Sequence, residues 1–373
     1  VPSLHVAIAV LCGTTGGPAS YGTRLVRALA VGGELRLTVL TDDGSAFADL
    51  RADVVPLPMR GGLDRLRWQY RAVPRALRAL RPDIYHDTKN ALPRGLRCPA
   101  VVTVHDLAYH TVPQSFGWWS RTFLKWATRD AVARAHAVVV PSQATAADLR
   151  RIHPACASRI HVVPHGIDAA PALLAGELAA ARARLRLPEH FVLHVGTIQA
   201  RKNVDLVVDG VRLLRARGFP HRALVVGRRG WLADRALRSI AADDTAMWLE
   251  HVSARDLAAL YALADAFVSP SAYEGFGLAV ADALAAGVPT VISDVSSLPE
   301  LCGDAAVRLR ELSAAAVADA LAALFADDGR RRELAAAARA RAASFSWSAA
   351  AAGHVAAYAY AAAAAAAAAG ARA

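Results

Sequence analysis

The chain has 373 residues, and at roughly 100 to 200 residues per domain that length predicts two domains. Hydrophobic residues are 55% and charged residues 20%, which excludes a globally disordered chain; much of the apolar share is alanine, so a mean hydropathy of +0.27 does not imply an integral membrane protein. Lys plus Arg is 43 against 32 for Asp plus Glu, and the resulting +11 favours anionic partners such as phosphates, nucleic acid or acidic lipid.

The chain opens with VPSLHVAIAVL, which lacks a basic stretch followed by a small-residue cleavage site. It reads as a first buried strand, with nothing to suggest export. Apolar, β-branched runs then alternate with Ala-, Leu- and Arg-rich helical segments. The first series is His5 to Leu11, Arg36 to Leu40, Asp83 to His86, Ala100 to Val104, Ala137 to Val140 and Ile160 to Val163. Within it, RLRWQYRAVPRALRALRP (Arg65 to Pro82) and FGWWSRTFLKW interleave cations with aromatics. That pattern suits an anionic membrane surface, a single-stranded nucleic acid, or a solvated helix beside an acceptor site. A Pro- and Gly-rich seam, PHGIDAAPALLAGE, separates this series from a second one: Phe191 to Val195, Ala223 to Val226, Met247 to Leu249, Ala266 to Ser269 and Thr290 to Ser293. Apolar strands spaced by helices predict parallel sheets covered on both faces, hence an α/β class with two doubly wound Rossmann-like domains facing across a cleft. The expected boundaries are 1–165 for the first domain, 166–190 for a linker, 191–345 for the second domain and 346–373 for an Ala-rich helix packing back on the first. That tail is long enough to span a bilayer, but alanine supplies little transfer energy, so a terminal helix of high intrinsic propensity is the favoured reading. Cys12, Cys98, Cys156 and Cys302 are dispersed without zinc-ligand spacing, which points to a reducing cytosol and no structural metal. His136, His153 and His221 read as surface or packing residues.

Two segments carry chemistry. In SPSAYEGFGLAVADALAAGVPTVISD a strand ends near Ser269, a loop presents Glu274, Gly275, Phe276 and Gly277, and a helix opens near Leu278. Free N–H groups at a helix start, approached closely at glycine, bind anions or sugar hydroxyls. Asp282 lies one turn further on the same face, so Glu274 and Asp282 can accept hydrogen bonds from different hydroxyls of one elongated ligand. In FVLHVGTIQARKNVDLVVDGVRLL a strand ends at Gly196 and a short loop offers Arg201 and Lys202 just before a helix, a concentrated positive site suited to a pyrophosphate.

EGFGLAVAD resembles the EGFGLPxxE signature of retaining family 4 glycosyltransferases, and GTIQARKN is similar to their GTxxxRKN segment. VPHGID (Val163 to Asp168) resembles their VPNGVD linker strand, and TVHDLAYHTVP, around His105 and Asp106, resembles the HDL segment of the mannosyltransferase-like branch. Asp282 stands where that family usually has Glu, and Ala279 where it usually has Pro.

The resemblance implies a GT-B architecture with the nucleotide sugar held mainly by the second domain and the acceptor mainly by the first. It implies that Glu274 contacts the donor sugar's hydroxyls, that the Phe276, Gly277 and Leu278 amides hold sugar and phosphate, and that Asp282 takes the ribose. Arg201 and Lys202 would neutralise the diphosphate leaving group in place of a metal ion, and His105 would lie at the sugar in the cleft. Gly16, Gly17, Gly196, Gly227, Arg228 and Val252 complete the implied substrate- and nucleotide-binding set.

Neither half opens with GxGxxG, and the loop after Val226 is Gly227, Arg228, Arg229 and Gly230 where a nicotinamide dinucleotide's ribose would want an acid, which discriminates against an oxidoreductase. GRRGW there resembles the GKRGW of GDP-mannose users. The expectation is a cytoplasmic, retaining, metal-independent hexosyltransferase acting from a nucleoside-diphosphate sugar, GDP-mannose preferred, on a glycan or lipid-linked acceptor. No further cofactor and no nucleic acid are expected, and peripheral contact with an anionic inner membrane surface is one of the readings open for the cation–aromatic segments. The alternatives are a sugar-nucleotide epimerase or phosphorylase of the same shape, or a non-catalytic sugar-nucleotide or lipid-surface binder.

Overall fold

The computed structural model describes residues 4–11, 17–59 and 64–370. Its strands form two wholly parallel sheets. The first contains β1 (Leu4–Val10), β2 (Leu35–Thr41), β3 (Asp53–Pro56), β4 (Ile84–Asp87), β5 (Ala100–Thr103), β6 (Ala137–Val140) and β7 (Ile160–Val162), in the order β3-β2-β1-β4-β5-β6-β7. The second contains β8 (Phe191–Val195), β9 (Arg222–Val226), β10 (Ala246–Leu249), β11 (Ala266–Ser269), β12 (Thr290–Ser293) and β13 (Val307–Leu309), in the order β10-β9-β8-β11-β12-β13. Both orders reverse once, between β1 and β4 and between β8 and β11. Such a reversal sends neighbouring crossovers to opposite faces and opens a crevice beyond the strands' carboxyl ends.

The chain divides into two compact units: Val1–Leu107 with Trp119–Gly166 and Ser346–Ala373, and Ala108–Trp118 with Ile167–Phe345. In the second unit the central strands are apolar at successive positions because helices cover both faces. Val192, Val225, Val268 and Val291 pack on one side, and Leu193, Leu224, Phe267 and Ile292 on the other. Residues 167–190 fold with this unit; the helix Ala175–Leu185 lies against Ala254–Leu263, with Arg184 paired to Asp256. The segment Ala108–Trp118 joins it as well, Ala108 and Val112 packing on Tyr273.

In the first unit, the alanine-rich end forms the helix Trp347–Gly370. Among the described residues no helix is long and apolar enough to cross a membrane. Ala350, Ala351, His354, Ala357, Tyr358 and Ala361 form its buried stripe, at helical spacing, against a core that includes Tyr21, Leu25 and Val139. A directed hydrogen-bond chain fixes its register. The Ala350 carbonyl can only accept, so His354 donates from Nδ1 (2.7 Å) and accepts at Nε2 from the Tyr21 hydroxyl (2.7 Å). Tyr21 then accepts from Thr103 (3.1 Å), Thr103 from His86 Nε2 (2.8 Å), and His86 Nδ1 from the Tyr358 hydroxyl (2.8 Å). The scheme needs both histidines neutral, and burial provides for it by lowering His86 far below its ordinary value and His354 to about 4.

Replacing Tyr358 with Phe deletes one donor and strands His86 Nδ1, so Tyr358→Phe is expected to cost about 1–3 kcal/mol in urea unfolding. The exposed change Ala366→Ser on the same helix should stay within about 0.5 kcal/mol. Equal effects would contradict the docking of this helix through its buried stripe.

Candidate functional site

The loops that follow β8, β9 and β11 meet at the reversal point of the second sheet. The first two are zipped by their backbones: Gly196 N–H donates to Val226 O (2.9 Å), Ile198 N–H to Arg228 O (2.9 Å) and Gly230 N–H to Ile198 O (2.8 Å). The approach is close enough that a Cβ on Gly227, where φ is +145°, would lie 2.1 Å from Gly196 O, which requires glycine there. The loops after β8 and β11 are tied by Ala272 N–H to Arg201 O (2.8 Å) and by Asn203 Nδ2 to Pro270 O (2.8 Å).

Across this crevice Glu274, 6% exposed, meets both cations. Its Oε1 accepts from Lys202 Nζ and from Ser271 Oγ (2.8 Å), and its Oε2 from Arg201 Nη1 (3.1 Å). Arg201 Nη1 also donates to Tyr273 O (2.7 Å). Burial by itself would raise the carboxyl's pKa; Lys202 and Arg201 outweigh it, and the group sits at about 2. The backbone of Glu274 is clamped as well, its N–H donating to Ser296 Oγ (2.9 Å) and its carbonyl accepting from Ser297 Oγ (2.9 Å). Glu274, which the resemblance puts at the donor sugar, and Arg201 and Lys202, which it puts at the diphosphate, form a single ion-paired cluster.

Gly277 caps the helix Leu278–Ala286 in the left-handed conformation, φ +100°, where a Cβ would come 2.8 Å from Leu298. The Phe276 side chain is buried against Phe345, so this residue can offer a ligand its backbone. Leu278 begins the helix, and Asp282 lies one turn on, half-buried. Arg228, exposed after β9, donates from Nε to His251 Nε2 (2.5 Å), and Val252 follows next in the chain. Gly196, Arg201, Lys202, Gly227, Arg228, Val252, Glu274, Phe276, Gly277, Leu278 and Asp282 thus all lie at the carboxyl ends of β8 to β11.

Gly17 and His105 belong to the first unit. Gly17 opens the helix Gly17–Gly32, the next described element after β1, and Gly16 lies outside the described residues. His105 donates from Nε2 to Thr88 O (2.8 Å), which leaves Nδ1 as the acceptor; burial lowers its pKa, and its ring meets Tyr21 edge-on at 4.9 Å.

Ser271, Ser296, Ser297 and His194 carry no sequence signal. His194 donates from Nδ1 to Val268 O (2.9 Å), burial holds it neutral at about 4, and its Nε2 has no partner among the described residues. Among the described residues, the group able to hold a metal ion is at the other edge of this sheet, where His190, His221 and Asp265 precede β8, β9 and β11 with ligand atoms within 4.8 Å of one another. His221, for which the sequence leaves a surface or a packing role open, is buried and stacks on Phe325 at 3.9 Å.

Because Glu274 titrates lower in the folded chain than unfolded, its contribution is present above pH ~4.3 and is lost as pH falls towards 2. Wild type should therefore lose on the order of 3 kcal/mol more than Glu274→Gln between pH 5 and 2, read from denaturant melts at each pH. Parallel losses would show that the cluster does not hold the carboxylate charged.

Residues 189–327 match the family model described as "Glycosyl transferases group 1", and residues 15–170 the one described as "Glycosyltransferase Family 4". O-antigen chain mannosyltransferase B of Escherichia coli is 30% identical over 244 residues, 62% of each chain. D-inositol 3-phosphate glycosyltransferase of Xylanimonas cellulosilytica is 36% identical over 221 residues, 55% of this chain and 52% of that one. The chain spans about half to three fifths of the length of these curated relatives. Among solved structures, Anabaena HepE in complex with UDP and glucose superposes with a TM-score of 0.76 at 17% identity, covering 93% of this chain and 97% of that one. Two parallel-sheet units, each matching a glycosyltransferase family model in chain order, make this a GT-B fold built from glycosyltransferase family domains.

Proposed function

We propose that the protein transfers a hexose from a nucleoside-diphosphate sugar to an acceptor hydroxyl, with retention of configuration and without a metal ion at the reacting centre. The observation that carries this reading is the buried Glu274–Arg201–Lys202 cluster at the reversal point of the second sheet. The C1–phosphate bond breaks with its electron pair passing to the leaving diphosphate, the acceptor oxygen bonds C1 on the same face, and the acceptor proton goes to the departing phosphate. Arg201 and Lys202 neutralise the charge that develops, the role a metal ion fills elsewhere, and such preorganised stabilisation is often the largest catalytic contribution. Glu274, released from the cations as the diphosphate takes them, accepts from the sugar's hydroxyls. Asp282 holds the ribose, and the Phe276 to Leu278 amides hold sugar and phosphate.

GDP-mannose is the proposed donor, supported by the GRRGW loop and the likeness to a mannosyltransferase. The proposed acceptor is a glycan or glycolipid at the cytoplasmic face of an anionic membrane. On the helix Trp118–Arg134, Trp119 is 77% exposed and Phe123 and Trp126 each 47%, interleaved with Arg121, Lys125 and Arg129. Large aromatics left in water beside cations suit an anionic interface.

Lys202→Ala and Glu274→Ala should each lower kcat at least ~100-fold, with the far-ultraviolet spectrum unchanged. Proton NMR of the product should show the donor's anomeric configuration, and EDTA should leave the rate unchanged. Near wild-type rates in both variants would remove the proposed roles. In vesicle sedimentation, the double change Trp119→Ser, Trp126→Ser should weaken binding to phosphatidylglycerol-containing vesicles by about tenfold or more, given ~1.5–3 kcal/mol per buried large side chain. Undiminished binding would place the contact elsewhere.

A further inference from the structure

At the amino ends of the second sheet, three neighbouring strands each begin one residue after a side chain that can ligate a metal: His221 before β9, His190 before β8 and Asp265 before β11. The parallel register pairs Phe191 with Arg222 and Ala266 with Val192, so the residues that lead into these strands fall side by side. His190 Nδ1 lies 3.5 Å and His221 Nε2 3.6 Å from Asp265 Oδ2, and all three ligand atoms are within 4.8 Å of one another. Both separations are longer than a hydrogen bond, so the carboxylate holds neither ring directly. Each group is fixed by something else: Asp265 Oδ2 accepts from Phe191 N–H (2.9 Å), and the buried His221 ring stacks on Phe325. Three donor atoms thus converge without bonding one another. With bonds of about 2.0–2.1 Å, neighbouring ligands of a tetrahedral ion lie about 3.3–3.4 Å apart, close to the spacing seen on either side of Asp265. The wider gap between the two rings closes by movement of His190, whose side chain is 44% exposed.

We propose that His190, His221 and Asp265 bind a divalent cation of the zinc class, with water completing a four-coordinate shell, and that the ion clips together the amino ends of β9, β8 and β11. Two imidazole nitrogens suit zinc, cobalt, nickel or copper; magnesium and calcium take oxygen ligands. Arg331, whose charge reaches His221, is itself paired with Asp328, which reduces its opposition to a cation. His221 Nδ1 has no partner among the described residues, so no outer acceptor supports that ligand. The affinity expected is therefore micromolar, about 10–100-fold weaker than with such support. Glu274, Arg201 and Lys202 lie beyond the opposite ends of β8 and β11, so this ion holds the sheet and takes no part at the reacting centre. The inference stands whatever the protein transfers.

The test uses the full chain without an affinity tag, stripped with EDTA and exchanged into metal-free buffer. Zn²⁺ is titrated by calorimetry, and Co²⁺ by its visible d–d absorption. One equivalent of Zn²⁺ should bind with a micromolar Kd, Co²⁺ should give the absorption of a tetrahedral site, and saturating Zn²⁺ should raise the melting temperature by about 3 °C or more. His190→Ala and Asp265→Asn should each weaken Zn²⁺ binding at least tenfold and remove the melting shift. Asparagine keeps an acceptor for Phe191 N–H, and exposed His190 makes His190→Ala decisive should Asp265→Asn fold poorly. No saturable binding, unaltered affinity in either folded variant, or a thiolate-to-cobalt charge-transfer band that assigns the ion to a cysteine would overturn the proposal.

Discussion

A carboxylate taken out of water must find compensating charge or give up its own. Glu274 is buried at the mouth of β11 and retains its charge because Arg201 and Lys202, on the loop after β8, lie within salt-bridge distance. The ion pairing therefore also ties two loops together across the place where the strand order turns round. Ser271, Ser296 and Ser297 finish the work by fixing the side chain and backbone of the same residue. Removing the acid would leave two cations facing each other at low exposure. Removing either cation would leave the acid under-compensated.

The two units repeat one solution. In each, a parallel sheet reverses its strand order once, and polar residues at the carboxyl ends of the two central strands face the crevice: Asp87 at β4, Glu274 beyond β11. Their surroundings divide the chemistry. Glu274 is matched by two cations and stays ionised far below neutrality. Asp87, buried among neutral donors with Lys89 its one charged contributor, is pushed up to about 6. On the proposed reading, the crevice that carries two cations is the one suited to a diphosphate.

Much of this was legible in the chain itself. The α/β class and eleven of the strands follow from apolar runs at helix-length spacing, since a sheet covered on both faces leaves little room for polar side chains. β3 and β13 were missed for the same reason inverted: each is a short edge strand, half in water, carrying Asp53 and Pro56 or Arg308 where a buried strand would carry valine. Glu274, Gly277, Arg201 and Lys202 announced themselves through strand–loop–helix context. Ser296 and Ser297 could not, because their role depends on loops 22 and more residues apart meeting in space. Nor could His354: in an alanine tract, nothing marks a histidine as the partner of Tyr21, 333 residues away.

The charge balance of the cluster bears on the proposed transfer. One carboxylate between two cations leaves a local charge of +1, enough to attract a phosphate yet small enough to be buried. A diphosphate entering the crevice supplies the same cations with oxygen ligands of higher charge, so Glu274 is displaced rather than repelled, and its freed oxygens need donors. Sugar hydroxyls on that diphosphate are donors of the right kind. On the proposed reading the acid is the cations' counter-ion until a diphosphate takes them and a sugar ligand afterwards, and the energy spent in breaking its pairs is returned only by a molecule carrying both a diphosphate and hydroxyls. A free diphosphate would leave Glu274 unsatisfied, and a free sugar would leave the cations paired as they were, so the cluster itself favours the conjugate over either half.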